Sequence, residues 1–207
     1  MSQYGRIFTS FSIGPFTIVP EDGLHDRSAP LPIILGKKGA FGSGEHETTT
    51  ACLEEMARLP KIQGMHALDL GSGTGILAIA AARLGMSSVV ALDIDWKAAV
   101  SAQDNIRLNG MGHRIVTVCG ELACLAAASF DLVLANIYAE IHLALAGEMV
   151  AMTRPGGYLI LSGIPLQDKF DVQQRFLREG CEVVDSQIGE EFVTYVMRKC
   201  ATEGQPT

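Results

Sequence analysis

The chain has no C-x-x-C pair, and its cysteines are odd in number: Cys52, Cys119, Cys124, Cys181 and Cys200. Such scatter argues against a disulfide framework or a zinc site and fits reduced, mostly buried thiols in the cytosol. Basic residues are in deficit, with 16 Lys and Arg against 23 Asp and Glu and a net charge of −7. A general binder of phosphate backbones usually carries a basic face, so nucleic acid is disfavoured as a partner. A cationic partner, such as a lysine-rich protein, stays open. No stretch approaches the roughly 20 apolar residues of a membrane span. The opening residues MSQYGRIFTSFSIGPFTIVP lack the basic start and continuous apolar run of a secretory signal. The sequence shows no internal repeat and no long low-complexity linker. A soluble cytoplasmic protein with no membrane partner is expected.

What the chain does have is material for a core. Of its 207 residues 48% are hydrophobic and 19% charged, enough for one domain, with or without an appendage. Residues 1–40 alternate short apolar runs (FSIGPFTIVP, LPIILG) with Pro and Gly, and should form strands or an extended N-terminal arm. Residues 41–200 should form the main domain, and 201–207 a flexible tail. In FGSGEHETTTACLEEMARL a loop should enter a helix near Thr48. Glu54 and Glu55 would then lie in its early turns, where negative charge suits the positive end of the helix dipole.

From residue 66 onward strand and helix patterns alternate. HALDL, SSVVALDID, IVTVC, FDLVLAN and YLILSG read as strands. GILAIAAARLG, ended by Gly85, reads as a helix, as do WKAAVSAQDNIRLNG, YAEIHLALAGEMVAMT and PLQDKFDVQQRFLREG. Ala99, Ala102 and Ile106 mark one apolar helical face. The fourth-strand helix should stop before Arg154-Pro155-Gly156-Gly157, and CEVVDSQIG with EFVTYVMRK should close the chain as a hairpin. Alternation of this length predicts an α/β fold with a parallel sheet covered on both faces. Ligands in such sheets bind beyond the carboxyl ends of the strands, near the switch in strand order.

Residues 69–75, DLGSGTG, end the first strand of that series. Glycines between a strand and a helix let backbone approach a ligand closely; alone, they could also be a tight turn. The dinucleotide fingerprint G-x-G-x-x-G is imperfect here, because Ile76 stands at its third glycine. Asp93 ends the next strand, 22 residues after Gly71, where a carboxylate can accept ribose hydroxyls. Asp95, directly before WKAAV, suits the helix cap, which leaves Asp93 for the crevice. Asp69 beside the loop is awkward for a pyrophosphate and suits a cationic ligand. S-adenosylmethionine carries an ammonium and a sulfonium and no phosphate.

D-x-G-x-G-x-G followed by an acid after the next strand resembles the class I S-adenosylmethionine-dependent methyltransferases. AFGSGEHETTT at 40–50, LDLGSGTGILAIAA, ALDID and FDLVLANI at 130–137 narrow that resemblance to the PrmA family, bacterial enzymes that methylate lysines and the N-terminal amine of a large-subunit ribosomal protein. The resemblance runs from about residue 12 to residue 199. It implies a Rossmann-like fold: a mostly parallel seven-stranded sheet, helices on both faces and a C-terminal antiparallel hairpin. It also implies S-adenosylmethionine as cofactor and a ribosomal protein as partner. Carried over by position, cofactor contacts fall on Thr49, Gly71, Asp93 and Asn136, with Gly73 in the same loop and Glu121 near the adenine; Asp69, by its charge, and Phe41, as a lid, complete the expected cofactor-binding set. Asn136 and Tyr138 are the candidates for positioning cofactor and acceptor; no residue stands out as a general base.

Plainer roles compete at several of these positions. Phe41 could anchor the core, Glu121 could be an exposed helix-start acid, Asn136 could cap the next helix, and Tyr138 could only pack. His46 lies between two glutamates but has no second ligand at helical spacing, so it should shape the loop rather than hold a metal. The sequence departs from the family pattern in Ser43, where the family usually has Thr. It also departs in the short stretch before FGSG, where the family usually has a docking domain. Competing functions are a methyltransferase for small molecules or nucleic acid, a non-catalytic cofactor-binding module and a nicotinamide oxidoreductase; Ile76 and Asp69 disfavour the last.

Overall fold

The computed structural model describes residues 9–22, 29–36, 44–125 and 130–201. Its first elements are three short strands, β1 (Phe11–Ile13), β2 (Phe16–Pro20) and β3 (Pro32–Leu35), paired in that order as a small sheet. Helix α1 (Glu47–Arg58) follows, then β4 (His66–Leu70), α2 (Ile76–Arg83), β5 (Ser88–Asp93), α3 (Trp96–Leu108) and β6 (Ile115–Cys119). The chain continues through β7 (Phe130–Asn136), α4 (Ala139–Met152), β8 (Thr153–Pro165), α5 (Lys169–Arg178), β9 (Cys181–Ile188) and β10 (Phe192–Lys199).

The main sheet has seven strands in the order β6-β5-β4-β7-β8-β10-β9. The first five in that order are parallel, and β10 runs antiparallel to both neighbours. The expected architecture is therefore present. Strand alternation divides its interior into two cores. Ala67, Val89, Leu132 and Ile160 face α1, α2 and α3 together with Phe16 and Ile18 of the small sheet. Leu68, Val133, Leu159 and Met197 face α4 and α5. Ala99, Ala102 and Ile106 are buried, as their spacing predicts. Asp95 caps α3 with a 2.9 Å bond from the Lys97 N–H.

Three expectations change. Helix α1 starts at Glu47, within one residue of the expected Thr48, but Glu54 and Glu55 lie in its second half, away from the positive end. Glu47 is the first-turn acid, while the Glu55 carboxylate pairs with Arg58 three residues on, at 2.5 Å. The Arg154–Gly157 segment does not break the chain between α4 and a short strand; it belongs to β8, which is 13 residues long. The segment is taken up as a register irregularity between the pairs Phe130↔Thr153 and Leu132↔Tyr158. A φ of +77° at Gly156 lets the backbone loop out and return to its partner. Finally, the thiols are all free, but Cys119, Cys124 and Cys200 are exposed and only Cys52 and Cys181 are buried. Cys119 is the last residue of β6, Cys124 ends the short 3-10 turn that follows it, and Cys200 lies just beyond β10, where neither core reaches.

Candidate cofactor and methyl-transfer site

Strand order reverses between β4 and β7: the chain moves outward from β4 through β5 to β6, then returns to the other side of β4. The carboxyl ends of these two central strands diverge into loops that turn opposite ways, leaving a crevice. Gly71 lies at the end of β4. Leu70 pairs with Leu92 on one side and Ala135 on the other, so Asp93 and Asn136 flank the glycine loop.

The loop is held by its own backbone. Gly71 and Ser72 donate to the Leu92 carbonyl at 2.8 and 3.1 Å, and Gly75 donates to the Ser72 carbonyl at 2.7 Å. Gly71, Gly73 and Gly75 have φ of 72°, 55° and 77°, a region a side chain makes costly. At Gly71 space is lacking as well, since a Cβ would come within 2.6 Å of Ile137 Cγ2. The glycine loop and the turn after β7 are thus in direct contact.

Asp93 joins β5 to this loop. Its Oδ2 accepts the Gly73 N–H and its Oδ1 the Asp95 N–H, both at 2.9 Å. A carboxylate has about four acceptor positions, so capacity remains for two hydroxyls. Ile94, next along the rim, exposes a large apolar side chain. Glu121 is exposed just after β6, where the Gly120 N–H reaches the Asp93 carbonyl at 2.9 Å. The Glu121 side chain makes no bond to the short 3-10 turn that it precedes.

Asp69 is placed differently from the other acids. It is 1% exposed and accepts the Ala78 N–H at 3.0 Å. Burial pushes its pKa up to about 7, against the stabilising Ala78 bond and with a smaller push from the Asp93 charge. Its observed work is to tie β4 to the first turns of α2, not to stand on the open rim.

On the other side, Asn136 Nδ2 donates to Thr49 Oγ1 at 3.3 Å. The capping alternative for Asn136 fails: the α4 cap position is Tyr138, which makes no side-chain cap bond. Tyr138 is 76% exposed, so it does not serve as packing. Thr49 is buried beneath Asn136 in the first turn of α1. His46 caps that helix: its Nδ1 lies 2.8 Å from Thr48 Oγ1 and 3.4 Å from the Thr48 nitrogen, and its ring meets Phe192 edge-on. Among the described residues no His, Cys, Asp and Glu are grouped to hold a metal ion. Phe41 and Ser43 lie outside the described residues.

A model of the family described as ribosomal protein L11 methyltransferase (PrmA) matches residues 4–200. The chain belongs to the PrmA family. A ribosomal protein L11 methyltransferase of an Exiguobacterium species is 36% identical over 187 residues, 88% of this chain and 59% of that protein. The crystal structure of a ribosomal protein L11 methylase from Lactobacillus delbrueckii subsp. bulgaricus superposes with a TM-score of 0.84 at 28% identity, covering 93% of this chain and all of that one. Magnesium protoporphyrin IX methyltransferase from Synechocystis, solved with bound S-adenosylmethionine, shares the fold at 18% identity and a TM-score of 0.61. The fold is thus the Rossmann-like methyltransferase fold. The chain spans 59% of the length of the first PrmA relatives it matches.

Several groups of this candidate site were not singled out from sequence. Ile137 packs against Gly71 from the same A-N-I motif that pointed to Asn136. Ser72 is 6% exposed, and its Oγ is buried without a hydrogen-bond partner inside the glycine loop. Ser162 and Gly163, at the end of β8, press against Asn136 and Ile137; Ser162 is the register partner of Asn136. The S-G pair after YLIL was the one available hint, since Gly at a strand end marks close backbone approach.

The residues fit S-adenosylmethionine. Three positive-φ glycines bare the loop backbone, an orphaned hydroxyl lies within it, and a carboxylate with acceptor capacity stands one strand away. Ile76, buried in the first turn of α2, fills the position of the third dinucleotide glycine.

Proposed function

We propose that this chain is an S-adenosylmethionine-dependent methyltransferase acting on amines, of a lysine or of an N-terminus, in a protein such as a ribosomal protein. The observation that carries the reading is the contact of the glycine loop with the Asn136–Ile137 turn at the switch point, in a chain of the PrmA family. Gly71 and Gly73 would hold the cofactor's amino-acid end with backbone, Asp93 the ribose diol, and Glu121 with Ile94 the adenine side. When bound, S-adenosylmethionine supplies a methyl group on a sulfonium, ready for an amine lone pair. The Asn136 amide and Thr49 hydroxyl would orient the reacting groups, and orientation is a major source of rate. Exposed Tyr138 would cover the incoming amine. Excluding water there lowers the amine's pKa and favours the neutral, reactive form.

The net charge of −7 suits a cationic acceptor better than a nucleic acid. Ribosomal proteins are basic and are made in the cytoplasm, where this reading places the enzyme. The test is transfer of labelled methyl from S-adenosylmethionine to purified ribosomal proteins, with small amines and RNA as parallel acceptors. Label in a ribosomal protein is expected. Label only in RNA or a small amine would overturn the acceptor. Calorimetric binding without transfer to any acceptor would mark a non-catalytic module.

A further inference from the structure

His142, in the first turns of α4, is fully buried at 0% exposure, close behind Asn136. Its Nε2 lies 2.9 Å from the Ser162 carbonyl oxygen. A carbonyl can only accept, so Nε2 carries the proton. Nδ1 is buried and has no hydrogen-bond partner. Burial pushes the imidazole pKa down to about 4, against the opposing pull of the Ser162 and Ile137 carbonyls, so the ring is neutral at physiological pH. A hydrocarbon of similar size would avoid an unsatisfied buried acceptor. Packing alone therefore does not account for an imidazole at this position.

The hydrogen bonds around it form a closed circuit. The Ser162 carbonyl that receives His142 also receives the Ile137 N–H, at 3.2 Å, in the peptide that follows Asn136. Thr194 and Ser162 share a hydroxyl bond of 2.6 Å, and Ser162 Oγ donates to the Thr48 carbonyl at 3.3 Å. Thr48 precedes Thr49, whose hydroxyl receives the Asn136 amide. Gly163 leaves no slack, since a Cβ there would lie 2.5 Å from the Ile137 carbonyl and 3.1 Å from Asn136 Oδ1. Linked hydrogen bonds of this kind restrict the side chains that make them to few arrangements.

We propose that His142 is a positioning residue: through the Ser162 carbonyl and the Ile137 peptide it fixes the direction of the Asn136 side-chain amide at the cofactor rim. The proposal rests on the functional reading above only in giving Asn136 a part in transfer; the structural claim stands on the hydrogen bonds.

The test begins with ring ¹⁵N shifts of the wild-type protein. They should show a neutral His142 protonated on Nε2; a cationic or Nδ1-protonated ring overturns the proposal. His142→Gln can keep an N–H toward Ser162, whereas His142→Leu cannot. The Asn136 side-chain amide resonances, assigned by their loss in Asn136→Asp, should move in His142→Leu and stay near wild type in His142→Gln. With ribosomal protein as acceptor, kcat should fall on the order of 10-fold in His142→Leu and recover in His142→Gln, since small misplacements cost rate. Calorimetric affinity for S-adenosylhomocysteine should stay within about 2-fold of wild type in both variants. Unmoved Asn136 resonances in His142→Leu, or equal loss of stability in both variants with kcat intact, would overturn the proposal. If His142→Leu does not fold, the wild-type ring and the Asn136 amide in His142→Gln decide. A wild-type protein that transfers no methyl group would overturn the functional reading alone, because the ring and amide measurements need no turnover.

Discussion

At the scale of single residues, Asp93 and the buried pair Asp69 and His142 yield distinct expectations. Asp93→Ala should weaken S-adenosylmethionine binding by about 1–3 kcal/mol in calorimetry, the cost of leaving ribose hydroxyls unpaired; an unchanged Kd would remove Asp93 from the site. For Asp69, burial raises the folded pKa from 3.8 to about 7. Between those values the folded state binds more protons than the unfolded state, so this group makes stability fall as pH rises. For His142, burial lowers the folded pKa from 6.5 to about 4. There the unfolded state binds more protons, so this group makes stability rise with pH through that window. The two trends, each worth a few kcal/mol, largely cancel between about pH 4 and 6.5. Asp69→Asn should unmask the rise and His142→Gln the fall. Urea unfolding across that range checks both, and parallel pH profiles for the two variants would refute the pairing.

At the scale of elements, α1 is held from outside its own sequence. The Glu47 carboxylate accepts the Glu190 and Glu191 N–H groups at 2.8 and 3.1 Å, clamping the β9–β10 turn to the helix that carries Thr49. Glu47→Ala should lower stability by about 1.5–3 kcal/mol at most, the range for hydrogen bonds to a charged group. It should also speed hydrogen exchange at the Glu190 and Glu191 amides; unchanged exchange there would show the clamp to be idle. Gly163→Ala meets both a φ of +77° and the Ile137 carbonyl. A loss of at least 1–3 kcal/mol in chemical denaturation is expected from that strain, and a neutral substitution would contradict the close approach. Helices and strands themselves were largely legible, because periodicity and punctuation are local. The α3 cap at Asp95 and the α2 stop at Gly85 needed nothing beyond adjacent residues. The start of α1, expected near Thr48, lies at Glu47, although its cap is His46, a residue type outside the usual capping set. What was misplaced is the acid at the positive end: it is Glu47, and Glu54 and Glu55 lie about two turns further on.

At the scale of the whole molecule, two cores on opposite sheet faces leave one rim where β4 and β7 part, and the candidate site lies there. A ligand that binds only the folded state should stabilise the whole chain. S-adenosylmethionine at about 100 times its Kd should add about 2.7 kcal/mol and raise Tm, while NAD at the same concentration should not. A thermal scan distinguishes them, and stabilisation by NAD alone would reverse the cofactor assignment.

The contiguous residues of the sequence determined the strand–helix alternation, the bare glycine loop and the acid at the end of β5. Each is written in side chains a few positions apart. Tertiary structure decided that β10, the last strand in sequence, lies inside β9 in the sheet. It also paired Asn136 with Thr49 across 87 residues, Ser162 with Thr48 across 114, and Glu47 with Glu190 across 143. No local pattern names such partners: a hydroxyl or amide offers the same donors and acceptors wherever it stands. Only the packed sheet brings those of one segment within reach of another.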